Sequence, residues 1–214
     1  MIQTGNQIAA DVLKCDISDI QYNNGNFYQM NYPDTALDWS EIAQYSNQPD
    51  GLDIMGEFTP SAPTYPNGCH ICEVEIDTST GKCFVQDYVA VEDVGTALYP
   101  VLIEGQILGG IVQGISQALC ESLVYDETGQ LSTGSFMDYQ MPIASDFPKF
   151  RIKTHPVKTK INPLGAKGVG ESGTVGALAA TLSAIQHALV SVGADAIKMP
   201  ATPHRIWQTL KQNA

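Results

Sequence analysis

The stretch richest in chemistry is Leu164-Gly-Ala-Lys-Gly-Val-Gly-Glu-Ser-Gly-Thr174. Glycines at 165, 168, 170 and 173 let the backbone pass close to a ligand and present its N–H groups. The loop leads into a helix, whose dipole favours an anion at its start. Lys149, Arg151, Lys153, Lys158, Lys160 and Lys167 stand within nineteen residues that contain no acid. Six of the eleven basic residues of a chain with formal net charge −12 therefore feed this loop. Such a run reads either as a solvated basic strand beside a capping loop or as the wall of a pocket for a phosphate-bearing cofactor. Glu171 follows three of the glycines and lies close to the helix start. A carboxylate there either complements the dipole or acts as a general base on a short, rigid platform.

A second chemical stretch is residues 101–124, where Ile103, Ile107, Ile111, Ile115, Leu119 and Leu123 recur every four residues and predict a helix. Gly105, Gly109, Gly110 and Gly114 interrupt it. Each costs about 1 kcal/mol relative to Ala in a helix interior, so four together need a reason. Gln106, Gln113 and Gln117 share a stripe with Gly110. Small residues and neutral amides on one stripe suit a polar ligand lying on the helix, or close packing of another helix.

Other motifs are weaker. Gly168-Val-Gly170-Glu-Ser-Gly173 matches the GxGxxG pattern, with Asp195 beyond it. A dinucleotide site needs a buried strand directly before the glycines, and here KTKINPLGAK precedes them. A nicotinamide-binding oxidoreductase is thus only a remote alternative. Cys69-His-Ile-Cys72 is nominally a CxxC, but on a strand its cysteines point to opposite faces. Five scattered cysteines match neither a disulfide framework nor an iron–sulfur motif, and they suit a reducing compartment. The four histidines show no metal spacing.

The elements that must carry these stretches follow from pattern. Residues 2–14 read as a helix, 18–30 as a hairpin turning at Asn24-Gly25, and Trp39 to Tyr45 as a short helix. Residues 59–68 read as a loop, and HICEVEID and CFVQDYVAVEDV as paired strands with Val85, Val89 and Val91 on the buried face. Strand-like pieces follow near 132–141 and 149–158. After the glycine loop a long helix aligns Val175, Leu178, Leu182, Ile185 and Leu189, and Thr202-Pro203 starts the last helix. The fold class is α+β, hairpins and a mixed sheet with two long helices, in one domain of 214 residues. The acidic balance argues against nucleic acid as a partner, and no apolar run reaches the roughly 18 residues of a membrane span. The N-terminus lacks a signal-peptide pattern, so the expected location is cytoplasmic.

FTPSAPTYPNGCHICEVEID, VAVEDVGTALYPVLIEGQILGGIVQGISQAL, LSTGSFMDYQMP and above all AKGVGESGTVG resemble the molybdenum-binding large subunits of the xanthine dehydrogenase/aldehyde oxidase family, which includes the aerobic CO dehydrogenases. The resemblance is to the second, C-terminal molybdopterin-binding domain, strong over 51–212 and weak over 1–50. It implies molybdopterin with molybdenum, in the cytosine dinucleotide form, the metal being held through the pterin dithiolene with no direct protein ligand. It implies that Glu171 lies beside the molybdenum as the catalytic base. It also implies that Gln113, with Gln106 and Gly110 on the same helix, contacts the cofactor. The stretch Lys167, Gly168, Val169 and Gly170 would line it. The expected reaction is oxidative hydroxylation of an aldehyde, an N-heterocycle or CO with water as the oxygen source. Partners would be the N-terminal half of the large subunit, an iron–sulfur subunit and an FAD subunit, in a dimer of heterotrimers. A departure is Leu108, where the family often has His. The rival from another class is a non-catalytic remnant or assembly subunit.

Overall fold

The computed structural model describes residues 1–46, 52–53 and 55–212. The chain divides into two compact units, Met1–Thr59 and Pro60–Ala214. The first holds α1 (Ile2–Leu13), β1 (Ile20–Asn23), β2 (Asn26–Gln29), β3 (Tyr32–Asp38) and α2 (Trp39–Gln44). Asn24 and Gly25 turn the β1–β2 hairpin with φ of 49° and 86°, values that favour these residue types. β3 adds an antiparallel third strand beyond the predicted hairpin. Asp38 caps α2 reciprocally with Glu41. Ala9, Ala10, Ile20, Phe27 and Ile42 close this unit's core.

The second unit is built on β4 (Asn67–Ile76), β5 (Cys83–Asp93) and β6 (Arg151–Thr154), with β5 central, antiparallel to β4 and parallel to β6. α3 (Pro100–Leu119), α4 (Ser172–Ser191) and α5 (Pro203–Gln212) complete it. Val85, Tyr88, Ala90, Ile107, Ile111, Ile115 and Ala177 form one core cluster, and Ile185, Leu189, Ile197 and Ile206 belong to a second. The α+β architecture with two long helices is the one expected.

Three details differ from the sequence pattern. The buried face of β5 is Val85, Tyr88, Ala90 and Glu92, whereas Val89 and Val91 are only half-buried. Glu73 pairs with Asp87 but Val74 pairs with Val85, so Gln86 is an extra residue and every side chain beyond it changes face. Residues 132–141 form turns and no strand. There the Ser135 carbonyl accepts from the N–H groups of Asp138 and Tyr139, and its hydroxyl meets Asp138, local bonds that compete with a ladder. Finally, α3 ends at Leu119, leaving Leu123 exposed, and Val175 is exposed on α4, whose inward row is Gly173, Ala177, Thr181, Ile185 and Leu189.

By length and composition α4 is long and apolar enough to cross a bilayer, although no unbroken apolar run reveals it. In this fold it packs against α3 and β4. The contact with α3 explains two of the four helix glycines. A Cβ on Gly110 would stand 2.9 Å from the Thr174 nitrogen, and one on Gly114 would stand 2.5 Å from the Thr174 oxygen. From the other side, a Cβ on Gly173 would stand 2.4 Å from the Ile107 oxygen. The two backbones touch here, and only residues without a side chain permit it. Gly105 and Gly109 have open space beside them.

Candidate functional site

The end of β5 anchors the glycine loop. Lys167 donates its N–H to the Val94 carbonyl (2.9 Å), Thr96 donates to Gly165 (2.9 Å), and Gly95 bridges to Ala166. Gly95 and Gly165 both have positive φ, 64° and 69°, and a Cβ on Gly95 would stand 2.2 Å from the Gly165 oxygen. The Asn162 side chain closes the loop from within, donating to the Ala166 carbonyl (2.9 Å) and accepting from its N–H (3.2 Å). The loop is therefore rigid up to Lys167.

Lys167 itself is engaged. Its ammonium lies 2.5 Å from Asp93 Oδ2, and both side chains are nearly buried. Asp93 Oδ1 also accepts from the N–H groups of Gly95 (2.9 Å) and Val157 (2.8 Å). Burial opposes ionisation of Asp93, but Lys167 and the two N–H donors outweigh it and hold the carboxyl at about 2 against the usual 3.8. A carboxyl depressed in the fold contributes stability above its unfolded value and loses it as pH falls through the folded one. Asp93→Asn is thus expected to lower the melting temperature at neutral pH, with the deficit shrinking below about pH 4 and vanishing near 2. Thermal melts of both proteins across that range check this; a deficit independent of pH contradicts it.

Past Lys167 the chain is open. A Cβ added to Gly168 or Gly170 would meet nothing within 4 Å, and both glycines stand at the open side of the loop. Among the described residues the N–H groups of Gly168, Val169, Gly170 and Glu171 make no hydrogen bond. Four consecutive free amides running into a helix start suit an anionic, heteroatom-rich group such as a pterin diphosphate. Glu171 is the N-cap of α4, is exposed, and makes no capping bond with its side chain. It lines a cleft of about 360 Å³ with Asn67, Gly68, His70, Glu92 and Gly176.

The other expected site residues are placed differently. Gln113 is exposed on α3, and its Oε1 accepts from the Thr174 hydroxyl (3.3 Å), so it stands beside the first turn of α4. Gln106 is exposed on the earlier turns of α3. Neither lines the cleft that Glu171 enters. Gly110 is buried in the contact between the helices, so packing, not an open ligand surface, accounts for it. The cationic approach is smaller than six basic residues suggest, because Arg151 is bound to Asp87 and Lys167 to Asp93. Among the described residues no strand leads directly into Gly168; β6 ends at Thr154, which removes the nicotinamide-site geometry. Cys69 is exposed while Cys72 is half-buried, as opposite faces of β4 require, and burial pushes the Cys72, Cys83 and Cys120 thiols up to about 11, 12 and 11.

One constellation is invisible to sequence spacing. His70, Tyr88 and Glu92 form a buried row, with His70 Nε2 2.6 Å from Glu92 Oε1 and Nδ1 2.7 Å from the Tyr88 hydroxyl. The side chains of His70 and Glu92 are only 4% and 2% exposed. His70 shares the inward parity of Cys72, Val74 and Ile76 on β4, which is a readable signal. Tyr88 and Glu92 are hidden by the bulge at Gln86.

Known proteins similar to this chain give its family. A family model described as "Molybdopterin cofactor-binding domain" matches residues 1–148. The chain is 36% identical over 213 residues to the nicotine 6-hydroxylase large subunit of Paenarthrobacter nicotinovorans, covering 95% of this chain and 26% of that one. It is 32% identical over 213 residues to the carbon monoxide dehydrogenase large chain of Hydrogenophaga pseudoflava, covering 97% and 26%. The Cu,Mo-CO dehydrogenase superimposes with a TM-score of 0.86 at 31% identity, over 97% of this chain and 27% of the other. Quinoline 2-oxidoreductase from Pseudomonas putida 86 superimposes with 0.84 at 35% identity, over 99% and 28%. The chain therefore belongs to the molybdopterin cofactor-binding domain family, that of the molybdenum-binding large subunits of xanthine dehydrogenase type. It spans about a quarter of the length of these relatives.

Proposed function

We propose that this chain forms the C-terminal part of the cofactor site in a cytoplasmic molybdenum hydroxylase, with both compact units serving one molybdopterin-binding module. The observation that carries this reading is the run of four free backbone amides, Gly168 to Glu171, ending in an exposed carboxylate. Bound there, the molybdenum cofactor would supply the two-electron oxidation that goes with transfer of a water oxygen to the substrate. The chain's own residues do the rest. The amides of Gly168, Val169, Gly170 and Glu171 would hold the anionic part of the cofactor, and Gln113, at the first turn of α4, would offer it a neutral amide. The backbone of Lys167 fixes the loop while its ammonium serves Asp93. Glu171 takes the proton from the attacking water, which raises its nucleophilicity.

Substrates of this class are aldehydes, N-heterocycles such as those named for the relatives, and CO. The pterin is proposed as the cytosine dinucleotide. Clusters and FAD would sit on partner subunits, and the N-terminal part of the large subunit would close the site, in a dimer of heterotrimers. The test is to purify the chain together with that part and the two electron-transfer subunits, then assay metal and pterin. Near-stoichiometric molybdenum and acid-released cytidine monophosphate are expected. A correctly assembled complex free of both sinks the reading and favours an assembly role.

A further inference from the structure

The cleft that Glu171 lines runs between the start of β4 and the first turns of α4, and all of its lining belongs to the second compact unit. Its volume of about 360 Å³ falls within the roughly 300–1,000 Å³ of small-molecule sites. Two of its lining residues are glycines that admit no side chain. A Cβ on Gly68 would stand 2.6 Å from Glu92 Oε2, and a Cβ on Gly176 would stand 2.7 Å from three atoms of the His70 ring. Bare backbone therefore faces the cleft from the strand side and from the helix side. Behind these glycines the closed Glu92–His70 pair makes a floor. The result is a flat-sided slot.

An apolar side chain stands in the open beside it. Val175 lines the slot and is 70% exposed, although valine is a residue type usually buried. Its N–H donates to the Glu171 carbonyl (3.1 Å), which sets it one helical turn beyond the carboxylate on the same side of α4. Pro66 adds apolar surface from the strand side. Among the described residues no lysine or arginine lines the slot.

We propose that this slot receives the substrate, that it takes a flat, uncharged heteroaromatic ring, and that Val175 is a specificity-determining residue beside the base. This rests on the general-base reading of Glu171. The ring lies between the two backbone walls, its face on Val175 and Pro66 and its edge at the Glu171 carboxylate. Side chains one helical turn apart have Cβ atoms about 5–6 Å from each other. A ring spans that distance, whereas CO, two atoms long, cannot touch both. A ring that carries a carboxylate is disfavoured, because it would meet Glu171 with no lining cation to balance the charge.

Valine-methyl carbon-13 NMR of the full 214-residue chain, titrated with quinoline and separately with nicotinate, tests the slot without cofactor or partner. Val175→Ala identifies the Val175 methyl signals by their loss. Val190, 58% exposed at the other end of α4 and outside the slot, is the control. Quinoline is expected to shift the Val175 methyls saturably and several times further than those of Val190, and nicotinate is expected to leave them in place. No shift at Val175, an equal shift at Val190, or an equal response to nicotinate overturns the proposal. In the assembled enzyme a neutral heteroaromatic ring is expected to turn over, and Val175→Ala to raise its KM about fivefold or more with a smaller change in kcat, as loss of a binding contact does. Turnover of CO or aliphatic aldehydes alone, or a KM that Val175→Ala does not move, overturns the proposal and leaves the base standing. Turnover retained by Glu171→Gln is the opposite case: it removes the base, while the NMR and KM results still decide the slot.

Discussion

Glu171→Gln in the assembled enzyme is expected to retain molybdenum and pterin while turnover falls by roughly 10²–10⁴-fold. The size follows from the role. Glutamine keeps the shape and the polarity of the side chain but accepts no proton at neutral pH. Cofactor content should survive because the groups proposed to hold it are backbone amides of Gly168 to Glu171, which the substitution leaves in place. Stability should survive too, since the Glu171 carboxylate is exposed and makes no capping bond. Metal analysis, pterin fluorescence after denaturation and steady-state rates on one preparation check the expectation. A mutant with near-normal kcat removes the general-base assignment. A mutant that has lost the cofactor shows that the carboxylate holds the group instead.

The second large effect is mechanical. Gly114→Val is expected to destabilise the chain by about 1–3 kcal/mol or more, seen as a lower urea midpoint. The first added carbon alone would stand 2.5 Å from the Thr174 oxygen and 2.9 Å from the Ala177 Cβ, atoms fixed in α4. The helices must part, and the loop that enters α4 at Glu171 must move with them. In the assembled enzyme the same variant should therefore lose activity as well. Gly109→Ala, on the same helix, is the control. Nothing lies within 4 Å of its Cβ position, so it should be neutral or stabilise by up to about 1 kcal/mol. Equal losses from both variants would mean that the α3–α4 contact is not the cause.

Much of this is legible without coordinates because local rules decide it. The Asn24-Gly25 hairpin, the Thr202-Pro203 helix start and the four-residue rhythm of α3 are properties of short windows. The glycine loop and Glu171 are legible for a similar reason: a run of glycines before a helix is rarely neutral. The helix glycines can be noticed but not explained, since two readings fit them equally, and only the approach of α4 to within contact of Gly110 and Gly114 separates packing from ligand binding.

The amino-acid order alone marked the helices, the β1–β2 and β4–β5 hairpins, the glycine-rich run and the carboxylate at the start of α4. Tertiary structure alone decided which charges are free and which are spent. Lys167 has the look of a phosphate ligand until the end of β5 brings Asp93 to it across seventy-four positions. One extra residue at Gln86 turned Tyr88 and Glu92 inward to meet His70, and no pattern of alternation could reveal that. The physical reason is that hydrogen bonds and ion pairs act over a few ångströms of space, while sequence records neighbours only along the chain.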